Sequence, residues 1–182
     1  MSNYRRADTP GACYFFTVVT FRRRDFLTDD DCRIWLRNAV IETRKPYPFT
    51  INAWVLLPDH LHCIWTLPEN DNDFSVRWNG IKRRFTQSAK HRLHKAEWIN
   101  ASKQKHREGT IWQRRFWEHQ IRDDNDYQRH MDYIHYNPVK HGLVQKVKDW
   151  PYSTFHRYLN QGVYPGNWGS EFIQHENIEY AE

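Results

Sequence analysis

An α+β domain of the ferredoxin-like, split βαβ type is what this sequence predicts, on three observations. Strand-like and helix-like stretches alternate in the order β-α-β-β-α-β-α, which is that arrangement with one helix added. Two strand stretches are joined only by Pro58-Asp59, so they should pair as an antiparallel hairpin. Proline, acidic and amide residues punctuate the other joints. The expectation is an antiparallel sheet with helices on one face and the other face free for a ligand, within residues 1–149. An irregular C-terminal tail, 150–182, then packs on the domain, with no internal repeat and no second domain.

The first strand is expected over Tyr14 to Thr20, where aromatic and β-branched residues dominate. Thr28-Asp29-Asp30-Asp31 opens a helix with an acidic first turn that suits the helix dipole. That helix runs to about Arg44, with Ile34, Trp35, Ala39 and Val40 as its apolar face, and stops before Pro46 and Pro48. Phe49 to Leu57 and His60 to Leu67 are the second and third strands. Phe74 to about Lys90 carries Trp78, Ile81 and Phe85 at helical spacing beside Lys82, Arg83 and Arg84, a basic second helix. His91 to Thr110 is rich in charged and polar residues and suits a mobile loop. Ile111 to Ile121 reads as a fourth strand. Asp123-Asp124 opens a third helix through Tyr127, His130, Met131 and Ile134, limited at its far end by Pro138.

The 182 residues carry a net charge of +5, and 16% are aromatic, with nine Trp. Basic and aromatic together is the pattern of a protein that holds phosphate backbones and stacks on unpaired bases. No apolar stretch approaches the roughly 20 residues that span a bilayer, and Met1-Ser2-Asn3-Tyr4-Arg5-Arg6 lacks a signal-peptide core, so a soluble cytoplasmic protein is expected. Cys13, Cys32 and Cys63 are scattered and odd in number, which argues against a disulfide framework or a zinc finger.

The chemistry concentrates in Leu57-Pro58-Asp59-His60-Leu61-His62-Cys63-Ile64-Trp65. Side chains alternate on a strand, so His60 and His62 share one face and form two ligands for a divalent cation. With 11 His in the chain, one His-x-His pair arises by chance about 0.7 times, so the pair alone proves little. Its setting between apolar runs adds weight, because a buried unpaired ring nitrogen costs about 1–3 kcal/mol. A nucleophile is offered by the third helix, where Tyr133 and Asn137 lie four residues apart and share a helical face. Asn137 supplies a hard amide oxygen as a third ligand of the kind Mg2+ or Mn2+ accepts. Tyr136 is the rival nucleophile, and spacing does not choose between the two.

Taken together, these residues resemble a known family. Leu57-Pro58-Asp59-His60-Leu61-His62 resembles the HUH signature, histidine-hydrophobic-histidine, of the single-tyrosine transposases. The blocks Ile111 to His119 and Asp132 to Val144 are similar to corresponding blocks of the REP-associated tyrosine transposases. Trp150-Pro151-Tyr152-Ser153-Thr154 is similar to that family's tryptophan-proline-aromatic-serine-serine motif. The resemblance spans roughly residues 4 to 158. It implies a metal-dependent endonuclease and strand transferase acting on single-stranded DNA hairpins of REP sequences through a 5'-phosphotyrosine. On that resemblance Tyr133 is the nucleophile and His60 and His62 hold the metal, Mg2+ or Mn2+. Asn137 stands where relatives often carry glutamine. The resemblance also implies that Tyr4, Arg5, Arg6, Arg22, Arg23 and Arg24 read the hairpin foot, while Lys82, Arg83, Arg84, Arg114 and Arg115 are candidates to neutralise phosphates. The long C-terminal segment points to a monomer. The alternatives are an inactive, domesticated hairpin-binding protein and, more distantly, a nuclease that uses activated water.

Overall fold

Nine regular elements succeed one another in the computed structural model, which describes residues 9–169. They are β1 (Cys13–Val19), α1 (Asp30–Arg44), β2 (Thr50–Leu56), β3 (His60–Thr66), α2 (Phe74–Leu93), α3 (Ala101–His106), β4 (Trp117–Gln120), α4 (Asp124–Lys140) and α5 (Phe155–Asn160). The strands form one antiparallel sheet in the order β2-β3-β1-β4. Strand β3 lies between β1 and β2, and β1 lies between β3 and β4, which is the split βαβ topology that the sequence predicts. The β2–β3 hairpin closes as expected, with Leu57 N–H donating to the His60 carbonyl across Pro58-Asp59 at 2.9 Å.

Alternation along the strands makes two cores. Tyr14, Phe16 and Val18 of β1, Leu61, Cys63 and Trp65 of β3, and Leu56 of β2 face α1 and α2. Helix α1 buries Cys32, Leu36, Ala39, Val40 and Thr43 there, whereas Ile34, assigned to that face from sequence, is 57% exposed. Gly80 brings α2 close to α1, since a Cβ at that position would stand 3.1 Å from the Thr43 methyl. Phe15, Ala53, Val55, Leu57 and Ile64 face the other way and are covered by Met131, Tyr133 and Ile134 of α4. The helices therefore do not leave one sheet face free, as the sequence reading supposes. The physical reason is visible in β1, whose near-continuous apolar run is buried on both sides and could not face water, and in Ala53, Val55 and Ile64 beside it.

Three further elements differ from expectation. The segment 91–110, expected as a mobile loop, contains the end of α2, a 3-10 turn and α3, and packs Lys103 over the Phe21 ring at 3.8 Å. Strand β4 is confined to Trp117–Gln120, because the pairing with β1 bulges. Thr17 faces Trp117 but Thr20 faces Trp112, so two extra residues are extruded and Arg114 and Arg115 project to solvent. Pro138 lies inside α4 and does not end it. The end comes with a Schellman motif, in which Leu143 N–H donates to the Pro138 carbonyl and Gly142, at φ +68°, donates to Val139.

The stretch after Trp150, expected to be irregular, includes α5 and covers the β2 edge. Thr154 exchanges backbone and side-chain hydrogen bonds with Trp54, and Leu56 N–H donates to the Tyr152 carbonyl. His135 of α4 reaches Thr154 Oγ1 at 3.1 Å and is buried against Phe155 and Tyr164. Burial, with the charge of Arg157 second, pushes its imidazole down to about 3 from the ordinary 6.5. The unfolded chain thus binds a proton at His135 that the folded chain rejects. Stability should be unaffected by this residue above 6.5 and be lost progressively as pH falls below it, by about 1.4 kcal/mol per pH unit. Urea denaturation of His135→Phe should give a stability curve flatter by that slope between about pH 6 and about pH 4.

Candidate active site

The site forms where β3 and α4 face each other. Period-two alternation aims His60, His62 and Ile64 at the α4 side, and cross-strand pairing sets Thr17 opposite His62 and Val19 opposite His60. On α4 the residues Asp126, His130, Tyr133 and Asn137, spaced four, three and four apart, form one stripe along the sheet. The Tyr133 ring packs against the His62 ring at 5.1 Å between centroids, and the two imidazoles lie 4.9 Å apart. Because α4 continues through Pro138, Asn137 stays one turn beyond Tyr133 and is fully buried. Tyr136 instead packs toward the tail, against Trp168.

Both imidazoles are held from behind. His60 Nδ1 lies 2.5 Å from Asp59 Oδ1, and because a carboxylate only accepts, the proton sits on that nitrogen. Arg23 donates to the other Asp59 oxygen at 3.0 Å. His62 Nδ1 lies 2.9 Å from Thr17 Oγ1, which can accept its proton. These contacts leave Nε2 of each ring with its lone pair available. Nε2 of His60, Nε2 of His62 and both amide atoms of Asn137 are buried without a hydrogen-bond partner among the described residues. Four orphaned polar atoms in a buried site are costly unless something else binds them. Two imidazole nitrogens and an amide oxygen suit a divalent cation such as Mn2+ or Mg2+. Burial above all, reinforced by the charges of His60, His141, Lys140 and Arg23, holds His62 well below the usual imidazole range, so it stays neutral and able to ligate. The His141 ring stands 5.2 Å from His60, and Lys140 Nζ lies 5.0 Å from the Tyr133 centroid, which puts positive charge beside the phenol.

A second cluster sits two turns earlier on the stripe, separated from the first by the Phe15 ring. His119 Nε2 contacts Asp126 Oδ2 at 2.8 Å, while His130 Nδ1 bonds the Asp126 backbone carbonyl at 2.8 Å and lies 3.1 Å from Asp126 Oδ1. Their ligand-type atoms all lie within 4.8 Å of one another, near enough to hold an ion. The two rings are stacked, 15° from parallel, so their lone pairs run side by side and do not converge on one point. A hydrogen-bonded clamp that ties α4 to β4 is the arrangement this geometry satisfies directly. Hydrogen bonds from His119 and Arg122 and the nearby imidazole charges outweigh burial and hold the Asp126 carboxyl below the usual range.

The cations named from sequence are scattered in role. Tyr4, Arg5 and Arg6 lie outside the described residues. Arg22 lies over the Trp98 ring at 4.5 Å, and Arg23 is tied to Asp59. Arg24 donates to the Leu93 and Thr110 carbonyls, and Arg84 points at Thr43 and the Gly80 carbonyl, so both serve the interior. Lys82, Arg83 and Arg114 line one groove of about 390 Å3 between α2 and the β4 bulge, joined by Lys90 and Arg107. Lys82 donates to the Gln113 carbonyl, and burial pushes its ammonium down to about 8. Sequence reasoning missed Asp59 and Thr17 as supports of the imidazoles, although Asp59 directly precedes His60. It also missed the His119–Asp126–His130 clamp, which no local spacing joins across a strand and a helix.

The chain matches the family model described as IS200-like transposase over residues 10–137. It is 47% identical over 171 residues to an Escherichia coli K12 protein named REP-associated tyrosine transposase, covering 94% of this chain and 93% of that one. A Haemophilus influenzae relative is 49% identical over 170 residues, with 93% and 94% covered. A solved structure described as a REP-associated tyrosine transposase bound to a REP hairpin matches with a TM-score of 0.78 at 47% identity, over 98% of this chain and 99% of that one.

Removing the shared carboxylate tests the clamp. Asp126→Ala should lower stability by about 1 kcal/mol, since it removes the carboxylate that His119 Nε2 and the Arg122 N–H bond, while His130 Nδ1 keeps the backbone carbonyl of residue 126. Hydrogen exchange should rise in the first two turns of α4 before it rises elsewhere.

Proposed function

Since this chain belongs to the IS200-like transposase family, and within it to the REP-associated tyrosine transposases, we propose that it nicks and rejoins single-stranded DNA beside REP-type hairpins with Tyr133 as nucleophile. The observation that carries this reading is the meeting of the Tyr133 ring with His62, next to the orphaned nitrogens of His60 and His62 and the amide of Asn137. The solved relative bound to a REP hairpin supports the choice of partner. His60, His62, Asn137 and Tyr133 all come from one chain, which supports a monomeric unit. Among the described residues no helix is long and apolar enough to cross a membrane.

In the proposed reaction the Tyr133 phenolic oxygen attacks the scissile phosphorus in line. The bond from phosphorus to the 3'-oxygen breaks, the phenolic proton is lost to solvent, and the leaving oxygen takes up a proton to become a 3'-hydroxyl. The phosphorus stays on the protein as a 5'-phosphotyrosine. A second 3'-hydroxyl reverses the exchange, so strands are rejoined without a nucleotide cofactor. His60, His62 and Asn137 would hold a divalent cation, which when bound would supply positive charge to the phosphate oxygens. Asp59 and Thr17 keep both rings aimed, and burial keeps His62 neutral. Lys82, Arg83, Arg114, Arg115 and Arg22 are assigned to DNA phosphates, although Lys82 also donates to the Gln113 carbonyl and Arg114 pairs with Glu108; Arg24 and Arg84 serve the interior. Tyr133 is only 2% exposed, so side chains that cover it, Lys140 over its ring among them, must move for a phosphate to reach it.

With a labelled hairpin and Mn2+, wild-type protein should give a covalent adduct on a denaturing gel. Tyr133→Phe should abolish the adduct and retain hairpin binding, and Tyr136→Phe should retain both. An adduct that survives in Tyr133→Phe and vanishes in Tyr136→Phe would move the nucleophile. Hairpin binding by wild type with no adduct under any divalent metal would favour the inactive, binding-only alternative.

The support behind His60 is tested separately. Asp59→Asn removes the charged acceptor that orients the ring and should weaken Mn2+ binding, read by calorimetry without DNA, by about 10- to 100-fold.

A further inference from the structure

On the sheet face opposite His60 and His62, a groove of about 740 Å3 runs between α1, β2 and the segment after Trp150. Its walls carry Arg33, Arg37 and Arg44 from α1 and Arg157 from α5, and its floor includes Trp54 and Tyr152. None of the described residues lining it is acidic. The three α1 arginines, at i, i+4 and i+11, lie within about 40° of one another around the helix and form a single ridge. From Arg33 to Arg44 that ridge spans about 16 Å, the rise of roughly five nucleotides at 3.4 Å each.

Several of these guanidinium groups are held in place before any ligand arrives. Arg33 Nε donates to the Thr28 carbonyl, its head lies over the Tyr152 ring at 4.5 Å, and one of its terminal nitrogens pairs with the Asp30 carboxylate. Arg44 Nε donates to the Phe49 carbonyl, and Arg157 donates to the Ile51 and Asn52 carbonyls of β2. Each bond uses part of a five-donor fork and leaves other N–H groups for an anion. Arg37, exposed between Arg33 and Arg44, extends the ridge to solvent. The charges of Arg37, Arg44 and Arg157, with that of Arg33 shared with Asp30, stand beside two half-exposed aromatic rings and fit a phosphodiester backbone with bases able to stack.

We propose that this groove is a second DNA-binding surface, which holds a stretch of the strand or stem away from the scissile phosphate. It rests on the functional reading above, and it adds a contact site apart from the groove beside α2, one that joins the arginines of α1 to Pro151, Tyr152, Ser153 and Thr154. Its role is affinity and placement of the DNA; the chemistry stays with Tyr133.

The test measures hairpin affinity against salt concentration for the full chain and for Arg37→Gln, Arg37→Glu and Arg37→Lys. Loss of one phosphate contact should reduce the slope of log affinity against log salt by about 0.9 on duplex or about 0.7 on a single strand. Arg37→Gln and Arg37→Glu should both show that reduction and bind several-fold more weakly at low salt, while Arg37→Lys keeps the wild-type slope. Adduct formation at saturating hairpin should match wild type in all three, because the groove lies on the other face of the sheet. Unchanged slopes in Arg37→Gln and Arg37→Glu, with the hairpin still bound and cleaved, overturn the groove alone, and an acidic protein segment then fits its charge better. Wild-type protein that neither binds nor cleaves a hairpin overturns the functional reading and the groove together.

Discussion

The arrangement of this protein depends on β3 being buried on both faces. Its odd-numbered residues Leu61, Cys63 and Trp65 enter the core under α1 and α2, and that commitment leaves His60, His62 and Ile64 no choice but the opposite face. A slip of one residue would put Leu61 beside Tyr133 and the imidazoles into the larger core. The hairpin turn at Pro58-Asp59 and the pairing of β1 on the other side make such a slip costly. Packing energy thus fixes the direction of two side chains that contribute little to packing themselves.

The second constraint is the integrity of α4 through Pro138. A proline inside a helix removes one backbone hydrogen bond and crowds the preceding turn, at a cost of about 3 kcal/mol. Here the helix persists for two residues beyond it, and the Schellman closure at Gly142 satisfies the free carbonyls at the end. Tyr133 and Asn137 consequently keep the one-turn relation that the site needs. The Asp126 clamp on β4 fixes the other end of the helix, and the segment around Thr154 fixes its back through His135. Tyr133 is therefore held on a rigid element anchored to two other parts of the molecule.

Two imidazoles that cannot satisfy their Nε2 atoms are unfavourable for stability taken alone. The structure tolerates them because Asp59, Thr17 and Phe15 support the rings on every other side. Arg23, which donates to Asp59, and its neighbour Arg22 both adopt left-handed backbone, a conformation that costs a non-glycine residue about 1–2 kcal/mol. Strain of that kind beside a support of His60 is consistent with a site built for binding at some expense to the fold.

Much of this was legible in the amino-acid order. The hairpin, the four strands, the shared face of His60 and His62 and the helical alignment of Tyr133 with Asn137 all follow from short-range geometry, periods of 2 and 3.6 read over a few residues. Other features have no local signature. The choice of Tyr133 over Tyr136 as the ring beside His62, the placing of α4 on the supposedly open face, the bulge at Arg114-Arg115 and the clamp from His119 to His130 depend on which surfaces meet. Those meetings are decided by burial of apolar area across segments tens of residues apart, a quantity that no window of sequence contains. The sequence alone thus determined the elements and the chemical inventory. The tertiary structure decided which pieces of that inventory face one another, because only the packing of two cores on one sheet brings a strand and a helix 70 residues away into contact.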